Sequence, residues 1–306
     1  MSEFWWGPAS MYNFLHDMHW VLPLRSAWAT PVWEGFTFLG YTPFFLIFLP
    51  LIYWFWDRAL FIRVLVVIVL NSLLNDWLKD FWQDPRPPIQ FQLDHLRVAD
   101  SYGRPSGHAQ GAVVLWLWLA HEIKRGWAWP LAIVIAAGVC FSRLYLGVHD
   151  VDDVLTGAGL GLAGFFVMLF LFTPRFDWWR ALPVWTHFAA FVALNALIVF
   201  TWPLPRFPSG AVQTLLFLMS AYFGYWIDMR LEPRPLQRPV WWIGVLAAVV
   251  GIVGLFAVRA GVGYAALALL RNAEIAAELQ TVAIGLYVTL LTPLAFRALG
   301  ILKPKG

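Results

Sequence analysis

The sequence is poor in charged residues, which make up 13% of its 306 positions, about half the share in a typical soluble domain. Its single cysteine, Cys140, excludes a disulfide within the chain and makes a cysteine-based metal site unexpected. The net charge of +3 is spread along the chain, without the basic patch of nucleic-acid-binding proteins. Residues 1–20 lack the basic start and apolar core of a cleavable signal sequence. These absences exclude a disulfide-stabilised fold and give no indication of a nucleic-acid partner.

Apolar residues are abundant, at 60% of the chain, and they include 20 Trp and 25 Phe. Such amphipathic and aromatic rings concentrate where a membrane meets water. A helix rises about 1.5 Å per residue, so roughly 20 apolar residues cross a hydrocarbon core about 30 Å thick. We therefore predict an all-α, polytopic membrane protein surrounded by membrane lipids.

About nine segments are candidate transmembrane helices. They are residues 36–56, 59–78, 109–120, 127–141, 154–173, 182–202, 210–227, 240–258 and 279–296. The third and fourth are short for a span. The fifth contains Gly157, Gly159, Gly161 and Gly164, small residues that allow neighbouring helices to approach closely.

The distribution of Lys and Arg between the loops predicts the orientation of the chain. Of the 21 Lys and Arg residues, nine fall on the side of the N-terminus and twelve on the other side. Three of the nine (Lys79, Arg86 and Arg143) belong to the polar clusters described next, which leaves six against twelve. The twelve-residue side is therefore predicted to be cytoplasmic, with the N-terminus outside.

Three polar clusters interrupt the apolar pattern, and the span count places all three on the extracytoplasmic side. They are Lys79 with Arg86 and Pro87; Pro105, Ser106, Gly107 and His108; and Ser142, Arg143, His149 and Asp153. The three cations, the Ser106 hydroxyl and the backbone N–H groups at a helix start could together hold a tetrahedral dianion. The cations themselves would neutralise its charge, so we expect neither a metal nor a cofactor.

Two histidines, His108 and His149, flank the predicted anion site. One imidazole could attack phosphorus while the other protonates the leaving oxygen. Asp153 follows His149 by four residues, a spacing that puts both on one helical face and would orient the imidazole. Asp150 and Asp152 compete with Asp153 for this contact, and spacing alone favours Asp153 only in part.

In these three clusters the sequence resembles the type 2 phosphatidic acid phosphatase family. The pattern K-x6-R-P, then P-S-G-H, then S-R-x5-H-x3-D matches at every fixed position, and the resemblance covers about residues 70–165. It implies that His149 is a phosphohistidine nucleophile, Asp153 its partner and His108 the general acid. It also implies a set of phosphate-binding residues, namely Lys79, Arg86, Ser106, Gly107 and Arg143.

The resemblance implies an integral membrane phosphatase acting on a phosphate monoester or diphosphate, with a phosphorylated lipid as the expected substrate. Alternatives are a soluble sugar phosphate, as in the glucose-6-phosphatase branch, a vanadium-dependent haloperoxidase, and a catalytically silent lipid-binding protein. We expect an interfacial amphipathic segment at residues 1–35, a transmembrane phosphatase core at 36–173, and helices without an assigned role at 174–306. The expected location is the cell membrane (the inner membrane in a Gram-negative organism), with the active site on the extracytoplasmic face.

Overall fold

The structure, a computed structural model, describes residues 14–93 and 101–305. The chain divides into two compact units. Unit 1 comprises Met1–Phe44 with Leu70–Thr173, and unit 2 comprises Phe45–Val69 with Pro174–Gly306.

Helices account for nearly all regular structure in the described residues. They are α1 (Ala29–Phe38), α2 (Thr42–Phe55), α3 (Arg58–Trp82), α4 (Gly107–Ile123), α5 (Ala128–Tyr145), α6 (Val151–Leu171), α7 (Asp177–Arg180), α8 (Val184–Thr201), α9 (Ser209–Leu231), α10 (Trp241–Leu270), α11 (Ala273–Leu286) and α12 (Thr292–Ala298). Three 3₁₀ turns lie at His19–Leu24, Ile89–Phe91 and Pro174–Phe176, and a π-helical segment, Tyr287–Leu291, joins α11 to α12. Strands β1 (Leu236–Gln237) and β2 (Lys303–Pro304) form a short antiparallel pair.

In unit 1, α4 packs against α5 and α6. Glycines on α6 make this approach possible, because a Cβ on Gly157 or Gly161 would lie 2.5 Å from a backbone oxygen of α4 or its N-cap. A Cβ on Gly164 would lie 2.7 Å from Asn71, whereas Gly159 has open space around it. The prediction of close helix packing is therefore confirmed at three of the four glycines.

In unit 2, α11 packs against α9 and α10. The π-helical segment in this region leaves backbone carbonyls available to side chains, as such insertions commonly do. Trp54 donates its indole N–H to the carbonyl of Val288 at 2.8 Å, and the hydroxyl oxygen of Tyr53 lies 3.0 Å from the carbonyl of Thr289. Both aromatic side chains are 2% exposed, and they connect α2 to the π-helical segment.

The structure confirms an all-α protein with several membrane spans. Among the described residues, seven helices are long and apolar enough to cross a membrane, and the pair of α1 and α2 raises the number to eight. The remaining candidate corresponds to α4, whose 17 residues lie at the lower end of the range that a span needs. The predicted count of nine is therefore approximate.

Two predicted spans differ from the observed helices. The segment 36–56 is not one helix, because the chain breaks between α1 and α2 and bends by 55°. Gly40 lies at this break, and Pro43 lacks the N–H that a continuing helix would need. The segment 240–258 is too short, since α10 continues to Leu270.

The expected division into residues 1–35, 36–173 and 174–306 stays a prediction. Residues 1–13 of the expected interfacial segment lie outside the described residues. Within the described part, Met18 and Val21 are 1% and 0% exposed and pack against Phe91.

Candidate active site

The first polar cluster lies at the end of α3 and in the loop after it. Lys79, in the last turn, donates to the carbonyls of Tyr102 at 2.6 Å and Gly103 at 3.0 Å. Arg86 donates from Nε to the carbonyl of Ser101 and from Nη1 to that of Val148, each at 2.7 Å. These bonds hold both cations beside the loop that leads into α4.

The second cluster forms the start of α4. Ser106 is fully buried and is the N-cap of the helix, with its hydroxyl accepting from the backbone N–H of Ala109. Its own backbone N–H donates to the carbonyl of Asp153 at 3.0 Å, which joins this turn to α6. Asn75 donates to the carbonyl of Pro105 at 3.2 Å. A Cβ on Gly107 would lie 3.0 Å from the Asn75 side-chain oxygen, so the glycine leaves room for the Asn75 side chain that makes this hydrogen bond.

The third cluster joins α5 to α6. Nδ1 of His149 lies 2.9 Å from Oδ2 of Asp153, and their side chains are 2% and 0% exposed. Asp150 instead accepts from the backbone N–H of Asp153, completing a capping box at the start of α6, and lies 2.6 Å from His16. Asp152 pairs with Arg104 at 2.7 Å. Of the three carboxylates, Asp153 is therefore the one in contact with His149.

The hydrogen bonds of His149 determine which ring nitrogen carries its proton. A carboxylate can only accept, so Nδ1 donates to Asp153. Nη1 of Arg86 lies 3.1 Å from Nε2, and a guanidinium can only donate. Nε2 therefore carries a lone pair, which a nucleophilic nitrogen needs, and this lone pair points toward a cation that could hold an anionic phosphoryl group.

Titratable residues from all three clusters act on His149, so the clusters form one site. Burial first, and then the charges of Arg86, Lys79 and Arg143, hold the pKa of His149 well below its ordinary value, and His108 adds to the effect. Burial and the nearby charge of Arg143 likewise lower the pKa of Arg86 to about 10. A cluster of cations without enough negative charge is suited to an anionic ligand.

Two further residues contact the site, and the sequence analysis missed both. They are Thr37 on α1 and Tyr41 in the turn after it. Arg143, fully buried, donates to the hydroxyls of Thr37 and Tyr41, the latter at 3.3 Å. The ring of Tyr41 also packs edge-on against His108, with 4.7 Å between ring centroids. Thr37 and Tyr41 are four residues apart on an otherwise apolar segment, and this spacing was the only signal that could have revealed them.

The structure thus brings all eight predicted residues to the facing ends of α3, α4, α5 and α6. They are Lys79, Arg86, Ser106, Gly107, His108, Arg143, His149 and Asp153. No group of three His, Cys, Asp or Glu side chains within residues 14–93 and 101–305 is placed to hold a metal ion.

Comparison with known proteins relates the chain to a family of phosphatases. Residues 60–177 match the PAP2 superfamily. The chain is 33% identical over 161 residues to phosphatidylglycerophosphatase B of Bacillus subtilis (strain 168), covering 47% of this chain and 76% of that protein. It is 26% identical over 196 residues to lipid phosphate phosphatase delta of Arabidopsis thaliana, covering 59% and 47%, respectively. It is 35% identical over 127 residues to human (Homo sapiens) sphingosine-1-phosphate phosphatase 2, covering 39% and 32%.

The family match covers the part of the chain that contains the site. All eight predicted residues lie within the matched range 60–177, whereas most of unit 2 lies outside it. The chain spans about half of the plant relative and about a third of the human one.

Proposed function

The chain belongs to the PAP2 superfamily, and from this membership we propose that it is an integral membrane phosphatase that hydrolyses a phosphorylated lipid. The reaction releases inorganic phosphate from a phosphate monoester or diphosphate through a phosphohistidine at His149. The observation that carries the proposal is the geometry of His149, whose Nδ1 contacts Asp153 while Nε2 faces Arg86 at 3.1 Å.

In the first step, the lone pair of His149 Nε2 attacks phosphorus and the bond to the leaving oxygen breaks. His108 supplies the proton that the leaving oxygen takes up. Burial and the charges of Arg143, Lys79 and Arg86 lower the pKa of its ring, and the negative charge of the bound phosphate would oppose that shift. Asp153 keeps the Nδ1 proton in place and stabilises the positive charge that develops on the ring. Before the attack, Arg86 must move its donor from Nε2 to a phosphate oxygen, because the lone pair cannot serve both partners.

In the second step, water attacks the phosphohistidine and the P–N bond breaks. His108, now neutral, accepts a proton from the water, and inorganic phosphate leaves. Lys79, Arg86 and Arg143 would contact the equatorial oxygens in both steps. Fixed cations of this kind provide most of the catalysis in phosphoryl transfer, because they stabilise charge without having to reorganise.

The names of the relatives support a lipid as the substrate, since all three refer to the phosphate of a lipid. Three of the helices whose ends form the candidate site are apolar enough to cross a membrane, and a lipid tail could lie along them while the phosphate reaches the cations. A soluble sugar phosphate is the alternative substrate class.

A phosphate-release assay on purified protein in neutral detergent tests the proposal. The substrates are phosphatidylglycerophosphate, phosphatidic acid, sphingosine 1-phosphate, a polyprenyl diphosphate and glucose 6-phosphate. We expect kcat/KM for at least one lipid to exceed that for glucose 6-phosphate by about a hundredfold, as a well-filled apolar site allows. Equal or faster hydrolysis of glucose 6-phosphate would assign the enzyme to soluble substrates, and no release from any substrate would refute the proposal.

We further propose that the active site faces the extracytoplasmic side of the cell membrane. The support is the excess of Lys and Arg in the opposite loops. Intact spheroplasts should therefore hydrolyse a membrane-impermeant, short-chain lipid phosphate as fast as lysed ones. Activity that appears only after lysis would reverse the orientation.

The acid limb of the pH profile should lie well below pH 6.5. The pKa of His149 is lowered by burial and by Arg86, so its neutral, nucleophilic form persists below the ordinary imidazole pKa of about 6.5. Removing the positive charge in Arg86→Gln favours the protonated ring, raises its pKa and moves the limb to higher pH. We expect this shift in kcat/KM measured from pH 4 to 8.

Ionisation of the substrate affects wild type and variant equally, so the difference between their profiles reports on the enzyme. An acid limb that is unchanged or moves to lower pH in Arg86→Gln would contradict the assignment of Arg86 as the main charge acting on His149.

Tyr41 should act as a positioning residue through Arg143 and His108. Tyr41→Phe removes the hydroxyl that Arg143 contacts but keeps the ring on His108, so we expect KM to rise about three- to tenfold, the value of one ordinary hydrogen bond, with little change in kcat. Tyr41→Ala also removes the ring and should lower kcat. Tyr264→Phe, at a side chain that is 79% exposed, is the control; identical kinetics in all three variants would show that Tyr41 has no such role.

A further inference from the structure

Unit 2 contains a cavity of about 250 Å³ between the start of α3, the end of α9 and the C-terminal tail. Its charged lining residues are three cations, Arg58, Arg238 and Lys305, and one carboxylate, Asp57, and its aromatic lining residues include Tyr53, Trp54 and Trp56. It takes no part in the proposed reaction, because every residue that lines it lies in unit 2.

The inner wall of the cavity rests on a buried cluster with more positive than negative charge. Asp228 is fully buried, and it pairs with Arg58 at 2.9 Å and also with Arg297. Tyr53 donates to the same carboxylate at 2.9 Å. One carboxylate thus serves two guanidinium groups, and the cluster keeps a net positive charge behind the cavity.

The other nearby carboxylates have partners of their own, and the one that lines the cavity, Asp57, leaves the cations of the wall in excess. Glu232 pairs with Arg234 at 2.9 Å. Asp57 accepts from the backbone N–H of Leu60 at 2.6 Å and so caps the start of α3. Arg238 and Lys305 have no carboxylate partner within the part of the chain that the structure describes.

The strand pair holds the tail at the rim of the cavity. Leu236 and Gln237 pair with Pro304 and Lys303, and the backbone N–H of Lys305 donates to the carbonyl of Pro235 at 2.8 Å. The backbone of Lys305 is therefore held beside the loop that carries Arg238. Both residues line the same cavity.

The indole of Trp56, 46% exposed, also lines the cavity, and Trp is typical of the depth at which lipid head groups lie. The positive-inside count assigns Arg58, Arg238 and Lys305 to the cytoplasmic side, where the leaflet is rich in anionic lipids that attract clustered Lys and Arg.

We propose that this cavity binds a phosphate-bearing anion, and that its source is the head group of an anionic phospholipid. The volume suits a head group rather than a whole lipid, so the acyl chains would remain in the bilayer. The phosphate would contact Arg238 and Lys305, with the positive cluster around Arg58 behind it.

Native mass spectrometry of the purified protein in neutral detergent tests this proposal by counting bound lipids. We compare phosphatidylglycerol with phosphatidylcholine of the same chain length. The double variant Arg238→Gln/Lys305→Gln should weaken phosphatidylglycerol binding at one site by about tenfold or more, because both cations attract an anionic head group. Phosphatidylcholine, which has no net charge, should bind no better to wild type than to this variant.

The control is Arg230→Gln/Lys303→Gln, which removes the same charge from the same region. Both residues are exposed, and neither lines the cavity. Any binding at the active site is common to both double variants and therefore cancels. Competition by inorganic phosphate or glycerol 3-phosphate identifies the source: displacement at equal concentration points to a soluble phosphate, and no displacement points to the lipid.

Equal phosphatidylglycerol binding by wild type and both double variants would overturn the proposal, as would equal binding of the two lipids. A single symmetric peak in size-exclusion chromatography confirms that each variant is folded. Because the readout is binding, it stays valid even if the protein releases phosphate from none of the assayed substrates.

Discussion

Replacing His149 with alanine should lower the rate of inorganic phosphate release by at least about 10⁴-fold, the scale on which loss of a covalent nucleophile acts. The variant lacks the nitrogen that would attack phosphorus. The steady-state rate is measured on the best lipid substrate identified in the phosphate-release assay.

The matched control is His121→Ala, which changes an exposed histidine in α4, the same helix that begins at His108. It should keep wild-type activity. Rapid acid-free quenching with ³²P-labelled substrate should trap labelled protein in the wild type and none in His149→Ala. More than about 1% of wild-type turnover in His149→Ala would exceed what the residual site can provide and would remove His149 as the nucleophile.

Replacing Asp228 with alanine should lower the free energy of unfolding by about 3–5 kcal/mol, as expected when one partner of a buried ion pair is removed. The side chain is fully buried and contacts Arg58, Arg297 and Tyr53. Without it, two guanidinium groups remain inside unit 2 without their shared carboxylate. Unfolding is followed in mixed micelles with an increasing fraction of sodium dodecyl sulfate.

Glu232→Ala serves as the control for this experiment. Glu232 pairs with Arg234 near the surface of unit 2, where water screens the interaction, so its loss should change stability little. A similar loss in both variants, or none in Asp228→Ala, would show that the buried cluster does not stabilise the fold.

The contact between His149 and Asp153 shows how far local spacing can be trusted. Both residues stand at the start of one helix, and a four-residue spacing brings side chains onto the same face whatever the rest of the chain does. Asp150 and Asp152 could be set aside only once the capping box and the pair with Arg104 were known. The first involves a local backbone turn, but the second joins residues 48 positions apart.

Tyr41 and Asp228 show where sequence reasoning stops. Hydropathy averages over a window, so it predicted one straight span at residues 36–56 and did not detect the 55° break that brings Tyr41 toward His108. Asp228 is one polar residue among many at a helix end. Its partner Arg58 is 170 positions away in the chain, and nothing in either neighbourhood identifies the other.

The sequence by itself determined the all-α membrane architecture, the approximate number of spans and eight residues of the candidate site. These properties depend on composition and on short-range spacing, which act locally along the chain. Only the tertiary structure decided which carboxylate meets His149, which hydroxyls meet Arg143 and where unit 2 keeps its buried charge. The reason is that a hydrogen bond depends on positions within a fraction of an ångström, and those positions result from packing between segments that are distant in sequence.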